Sequence, residues 1–474
     1  MNALLTTLLL AVCLCIALFV PVYGAPAVLV CIVVALVAGL FISQTETDRS
    51  FLLRIFIAAL LVRMLLATFI FTLDLQDFFG GDAKIYDQLG LWMWKSWEGA
   101  PDSQNLLVVY EDAGWGMAYL VGGIYAAIGR NLLAVQLFNT ALGAATAPAA
   151  YICAQQMFEN KNVSRLSALF VAFYPSIILW SSQGLKDGPI IFCLVMSMMA
   201  TMKLGERLNT KYFLVLIGGL LGLLSLRFYI FYMAIAAVGA AFVAGRQRIT
   251  SQSLIRQFLI ILAIGLTMTY LVGLRRAGEQ LEGYGNLKRV QQSRADLTTA
   301  QSAFAKDVDV STGSGALAAL PIGATYLLFA PFPWQLANLR QTITLPEMLV
   351  WWASFPLLVS GMWFTLRYRM RQAMPILIFT TMLTLAYSIF QGNIGTAYRQ
   401  RSQLLVFYFI FVSVGAVLVK ERREERERLL QMKKEALLRA AQARQARRRY
   451  EEWRLERDRE WEEIARGLSE RVDS

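Results

Sequence analysis

The sequence predicts an all-α, polytopic membrane helix bundle of about 12 spans, with additional re-entrant or interfacial helices. Three observations predict it. Apolar runs close to the ~20 residues needed to cross a ~30 Å hydrocarbon core recur along most of the chain. Only 16% of residues are charged against 57% hydrophobic, and mean hydropathy is +0.49, far from a soluble globular composition. The short alternating segments of a transmembrane barrel are absent.

The spans fall at about 3–20, 26–43, 51–73, 131–157, 163–182, 188–204, 211–226, 228–244, 255–274, 346–366, 373–390 and 402–419. The first lacks the basic n-region of a signal peptide and runs at once into a second apolar segment, so it reads as a retained span. Lys203, Arg207 and Lys211 then share one side with Arg246, Arg248 and Arg256, with Arg367, Arg369 and Arg371, and with the tail. Charge bias makes that side the cytoplasm and puts both termini there. This distribution accounts for the net charge of +12 without nucleic acid. The loop holding Asp77, Asp82, Glu98, Asp102, Glu111 and Asp112 falls on the opposite, external face.

Residues 115–128 and 316–334 would each invert everything downstream if they crossed, so both are expected to be re-entrant or surface-lying. The latter ends in PFPW (331–334), where proline removes a donor and stops a helix. Segments 211–226 and 228–244 are short, which puts their junction at Arg227 below the outer surface. Glu347, after Pro346, reads as a helix-start residue. Beyond Val419 the chain turns rich in Glu, Arg and Ala with no Pro, which predicts one long cytoplasmic helix. Glu424/Arg428, Glu435/Arg439 and Glu462/Arg466 are i,i+4 pairs in the favourable order. The heptad pattern breaks at Arg444. Residues 420–466 therefore read either as a solvated helix or as a coiled coil or arm docking a cytoplasmic protein. Their basic first half also suits anionic headgroups.

There is no histidine, which excludes histidine bases, Ser-His-Asp triads and His-ligated metals. The five cysteines all lie in apolar runs without metal-ligand spacing. Carboxylates, Lys, Arg and Tyr remain. The stretch FFGGDAKIYDQLGLWMWKSW (78–97) puts Leu89, Trp92, Met93 and Trp97 on one helix face suited to a membrane interface. Its carboxylates would sit where a lipid-borne and a water-soluble reactant meet. The external helix ends further gather Asp77, Asp82, Lys186, Asp187, Arg227, Arg399 and Arg401. Ionisable groups at or below a membrane surface are costly, so each needs an ion-pair partner or a function. Carboxylates mixed with fixed cations suit sugar transfer from a polyprenyl phosphate. Asp82 would take the acceptor hydroxyl's proton, the arginines would clamp the phosphate, and Lys186 would add a point charge.

Four patches carry a family resemblance, in order: GGDAKIYD (80–87), FYPSIILWSSQGLKDG (173–188), PFPW with the later LPE (345–347), and GNIGTAYRQR (392–401). Over about residues 50–419 the chain resembles bacterial polytopic glycosyltransferases of the GT-C class, related to dolichyl-phosphate-mannose protein mannosyltransferases and aminoarabinose transferases. The resemblance implies a GT-C-like catalytic domain over 51–419 with external loops 74–130 and 275–345. Two N-terminal spans (1–50) and the charged tail (420–474) are extra. It implies Asp82 as base, with Asp77 as helper or as a ligand, with Asp82, of a divalent cation. It places Arg399 and Arg401 at the donor phosphate; Lys186 and Arg227 are expected to assist there, and Tyr86, Asp87 and Asp187 to lie on the acceptor side or behind the reacting groups. Members that use a metal often have adjacent acidic residues, whereas Asp77 and Asp82 are five apart. The implied setting is the external face of a bacterial cytoplasmic membrane. A polyprenyl-phosphate sugar would be the donor there, and a polysaccharide, lipid or protein of the envelope the acceptor, with inversion. Two alternatives stay open. One is a polymerase or ligase of lipid-linked polysaccharide, which needs no carboxylate at Asp82. The other is a transporter or assembly scaffold for exopolysaccharide export, which needs charges buried mid-span. Arg54 and Arg63 lie in the third run, where snorkelling or helix pairing explains them.

Overall fold

The computed structural model describes residues 2–45, 47–79, 81–100, 115–206, 209–244, 286–297, 302–305, 308–336 and 338–472. The expected span at 255–274, Gly80 and most of the loop after Arg275 lie outside them. Among the described residues every extended element is a helix, and the only strand-like pairing is one antiparallel bridge between Ala303 and Asn393. The chain is an all-α polytopic membrane protein.

The helices are α1 (Asn2–Phe19), α2 (Gly24–Ser43), α3 (Arg49–Thr72), α4 (Gln76–Phe79), α5 (Asp82–Trp97), α6 (Gly116–Ile128) and α7 (Leu132–Phe158). Then come α8 (Lys161–Phe173), α9 (Pro175–Ser181), α10 (Asp187–Glu206), α11 (Thr210–Leu226) and α12 (Phe228–Ala244). After the segment outside the description follow α13 (Leu287–Leu297), α14 (Gly313–Phe329), α15 (Leu339–Tyr368), α16 (Met370–Phe390) and α17 (Ile394–Val472). Seven of them, α2, α3, α7, α10, α15, α16 and α17, are long and apolar enough to cross a membrane, and the bent pair α8–α9 makes an eighth. Helices α1, α6, α11, α12 and α14 are shorter apolar helices.

The chain divides into residues 1–415 and 416–474. In the first unit α7 is the central post, packed on α2, α3, α8 and α10. Its run of Ala141, Gly143, Ala144, Ala145, Ala147, Ala149 and Ala150 explains this, because small side chains let several helices approach one axis closely. At Gly143 a Cβ would lie 2.4 Å from Cβ of Ser181. In the second unit the helix is exposed from Val419 to Arg466. Glu435–Arg439 and Glu462–Arg466 pair at 3.7 and 3.9 Å, while Glu424 is taken by Lys420 instead of Arg428.

Three boundaries differ from expectation, each for a local reason. The run at 163–182 is not one straight helix but the pair α8 and α9, bent by 55°. Pro175 has no N–H for the carbonyl of Val171 and forces Tyr174 into an extended conformation. Arg63, wholly buried on α3, donates instead to the carbonyls of Val171 (3.1 Å) and Ala172 (2.7 Å) and to Ser181 Oγ (2.9 Å). The run at 346–366 is not the start of a helix. Asn338 caps α15 two turns earlier by accepting from the Gln341 N–H, which puts Pro346 and Glu347 inside the helix and buries Glu347. The last membrane helix begins at Ile394, where Asn393 accepts from the N–H groups of Gly395 and Thr396. The segment holding Arg399 and Arg401 is therefore helical.

Candidate active site

Asp187, Arg399 and Asp82 form a linear ion cluster where α10, α17 and α5 meet. Asp187 opens α10, where the helix dipole favours a carboxylate. The connection before it is fixed from α7, because Asn139 Nδ2 donates to the carbonyls of Gln183 (2.7 Å) and Leu185 (2.8 Å). Arg399 projects from the second turn of α17. Its Nε and Nη2 reach Asp187 Oδ2 at 2.7 and 2.6 Å, and its Nη1 reaches Asp82 Oδ2 at 2.6 Å. The Asp187 side chain is fully buried, that of Arg399 is 15% exposed, and that of Asp82 is 48% exposed. One end of the cluster is thus locked and the other open. The guanidinium also lies 5.7 Å from the centre of the Trp180 ring.

Lys186 and Arg227 complete the charge. Lys186 Nζ stands 5.7 Å from the Tyr86 ring. Burial, with the neighbouring Arg227, pushes its ammonium down to about 8. Burial and the nearby Asp82 carboxylate push the Tyr86 phenol upward, so it remains protonated. Arg227 joins α11 to α12. It faces the Tyr229 ring at 5.6 Å and makes a long 3.5 Å contact to the Tyr387 hydroxyl. That hydroxyl donates to Gln403 Oε1 (2.6 Å), and Gln403 Nε2 reaches Asp187 Oδ1 at 3.4 Å. Arg227, Tyr387, Gln403, Asp187, Arg399 and Asp82 therefore form one connected polar chain. Sequence reasoning missed Gln403 and Tyr387. Gln403 was findable, because it lies one turn after Arg399 on the same helix face. Tyr387 sits in an apolar run with nothing to single it out.

The remaining candidates lie apart. Asp77 pairs with Lys84 (2.6 Å) in an exposed setting. Asp87 accepts from Tyr125 and is bridged by Arg130, which ties α5 to the start of α7. Arg401 is buried away from the cluster. Its Nη1 donates to the carbonyls of Leu328 (3.0 Å) and Ala330 (3.0 Å) at the end of α14, and its Nη2 reaches Met348 Sδ at 2.9 Å. Two residues along a helix is about 200° of rotation, so Arg399 and Arg401 point to opposite sides. The face of α5 expected at a membrane interface is largely occupied by protein. Leu89 and Met93 are buried against Ala118 of α6, while Trp97 remains half exposed. Gly90 permits this, because a Cβ there would lie 2.2 Å from Val121.

Asp77 and Asp82 each hold a basic side chain, and among the described residues no group of three or more His, Cys, Asp or Glu converges. What the arrangement offers is a half-exposed carboxylate beside three cations, at the ends of membrane helices.

These features define a membrane-embedded protein with a polar, cation-rich site at its helix ends. The chain matches the family described as dolichyl-phosphate-mannose-protein mannosyltransferase over residues 112–272, about a third of its length. The match agrees with the resemblance read from the sequence and supports a membrane glycosyltransferase of the GT-C type. It includes Lys186, Asp187 and Arg227; Asp82 and Arg399 lie outside it. No curated protein sequence matches the chain.

Proposed function

We propose that the chain transfers a sugar from a polyprenyl-phosphate donor to a hydroxyl of a cell-envelope acceptor, at the external face of a bacterial cytoplasmic membrane. The observation that carries this reading is Arg399 held between a buried Asp187 and a half-exposed Asp82. The donor phosphate displaces Asp82 from Arg399 Nη1, while Asp187 keeps the guanidinium in place. Arg227 and Lys186 add charge as the leaving phosphate becomes more negative. The released Asp82 carboxylate then accepts the proton of the acceptor hydroxyl. That oxygen attacks the anomeric carbon opposite the phosphate, the carbon–phosphate oxygen bond breaks, and polyprenyl phosphate departs with inversion. Tyr86, protonated beside Asp82, donates to the sugar or acceptor. Asp87 fixes the angle of α5, and Asp77 orients its first turn through Lys84.

The test is Asp82→Asn, assayed for sugar transfer with the protein reconstituted in vesicles. The amide keeps the shape but cannot take the proton, so kcat should fall by about 10²–10⁴ with donor binding retained. Unchanged transfer at equal protein level would remove Asp82 from the role of base and leave the polymerase or ligase chemistry as the better reading.

A further inference from the structure

Beyond Val419 the exposed part of α17 is charged but not uniformly polar. Met432, Ala436, Ala443, Ala446, Tyr450 and Trp453 follow one another at intervals of three, four or seven residues, which keeps them on one helix face. Leu429 begins this face, and beyond Arg457 it continues through Trp461 and Ile464. Neighbours along it touch: the Tyr450 and Trp453 rings are 5.8 Å apart, and the Arg457 guanidinium lies 5.1 Å from the Trp453 ring centre. Trp453 and Trp461 are nevertheless 51% and 64% exposed. The opposite side carries Leu430 and Leu437 but is interrupted by Arg444 and Arg448, so it forms no seam. A continuous stripe with exposed indoles on an otherwise charged helix marks a surface built for contact.

The charges beside the seam select its occupant. In a two-stranded coil the positions just outside the seam meet their counterparts on the facing helix. Over residues 428–454 these are Arg428, Lys433, Arg447, Arg449 and Arg454, with Glu435 the acidic exception. Two copies in one membrane enter the same compartment and would pair in parallel. That sets Arg428 against Lys433 and Arg449 against Arg454 of the second copy, and each seam arginine, Arg439 and Arg457, against itself. No acid in this stretch meets a base in that arrangement. A lipid surface fits no better. Arg447, Arg448 and Arg449 succeed one another at 100° and circle the axis, whereas a helix lying on anionic headgroups collects its cations on one side. We infer that residues 429–464 dock an acidic amphipathic helix of a different protein. Its apolar edge lies on this seam, about 50 Å long at 1.5 Å per residue, and its carboxylates face the flanking cations. Tyr450, Trp453 and Trp461 supply the anchoring area. The contact does not depend on the transfer reaction.

The experiment uses the full chain in phosphatidylcholine vesicles and two fluorescent helical peptides of about four heptads, both with Ile and Leu at the seam. One carries Glu on both flanks and the other Lys; binding is read by anisotropy. The Glu peptide should bind about tenfold tighter than the Lys peptide, and its advantage should shrink as salt is raised. The double variant Tyr450→Gln, Trp453→Gln should weaken the Glu peptide about tenfold. Leu430→Gln with Leu437→Gln, on the opposite side, should leave its binding unchanged. All four positions are exposed and glutamine is a good helix former, so neither variant disturbs the fold. An Ala446→Cys variant, diluted in lipid and oxidised, should remain uncrosslinked. Equal binding of the two peptides, binding of neither, or binding that survives the Tyr450 and Trp453 changes would each overturn the inference. So would efficient cross-linking at position 446, which would assign the seam to a second copy. Loss of Glu-peptide binding on adding phosphatidylserine would likewise overturn it and assign the helix to anionic lipid.

Discussion

Arg399 and Arg401 stand two residues apart on α17 and are both almost entirely buried, yet their partners differ in kind. Arg399 lies between two carboxylates, one locked and one half exposed. Arg401 is surrounded by backbone carbonyls of residues 327–330 and a methionine sulfur. The carbonyls at a helix C-terminus have no partners inside the helix, so Arg401 works as a cap and completes the end of α14. Its partners cannot leave without unwinding backbone. Asp82 can leave Arg399 by a side-chain rotation into solvent. Burial of a cation in a membrane protein therefore does not by itself indicate chemistry. A partner that can be exchanged for a substrate group does.

The comparison breaks if the two arginines behave alike, and this is where the largest effects are expected. Arg399→Lys keeps a charge but loses the forked contact to two carboxylates. Transfer per folded molecule should fall by about 10²–10³, with little change in thermal unfolding. Arg401→Leu should do the reverse. It takes a donor from the carbonyls of Leu327, Leu328 and Ala330, of which Leu328 keeps the Trp351 indole N–H, and should cost about 2–4 kcal/mol of stability, while the folded fraction keeps its kcat. Unfolding followed by intrinsic fluorescence, alongside transfer by the same sample, separates the two. Equal losses of kcat would place Arg401 in the site after all.

Much of this was legible in the sequence, and the failures share one cause. Apolar runs located most of the helices, and the cost of burying ions pointed to Asp82, Lys186, Asp187, Arg227 and Arg399, which do come together. The errors arose where the direction of a side chain depends on a helix boundary. Placing the start of the last span at residue 402 left Arg399 and Arg401 as equals in a loop. The Asn393 cap moves the start to Ile394 and sends them to opposite sides. Pro346-Glu347 looks like a helix start, but the Asn338 cap overrides it and carries Glu347 into the interior. In both cases an asparagine side chain that accepts from backbone N–H groups two or three residues on outweighs the hydropathy pattern.

A smaller effect tests whether the locked half of the cluster depends on its support. Asn139→Ala removes both hydrogen bonds to the connection before α10 but touches no ionisable group. If that connection aims Lys186 and Asp187, kcat should drop about tenfold, the scale of a net loss near 1–1.5 kcal/mol. KM for the donor should rise with it. A stability loss with unchanged kinetics in the folded fraction would make Asn139 a packing residue only.

The smallest effect is also the most specific to a single cation of the site. Arg227 and Arg399 stay charged at any accessible pH, so of the three cations only Lys186 titrates near neutrality. Its ammonium, pushed down to about 8 mainly by burial, is present below that pH and lost above it. In the free enzyme the site therefore loses a positive charge as pH rises through 8, and kcat/KM for a phosphate donor should decline along an alkaline limb there. A bound phosphate favours the ammonium and raises its pKa, so kcat should hold to higher pH than kcat/KM. Lys186→Arg should remove the limb, because a guanidinium keeps its proton throughout. A limb near pH 8 that persists in Lys186→Arg would assign it to another group and detach Lys186 from donor binding.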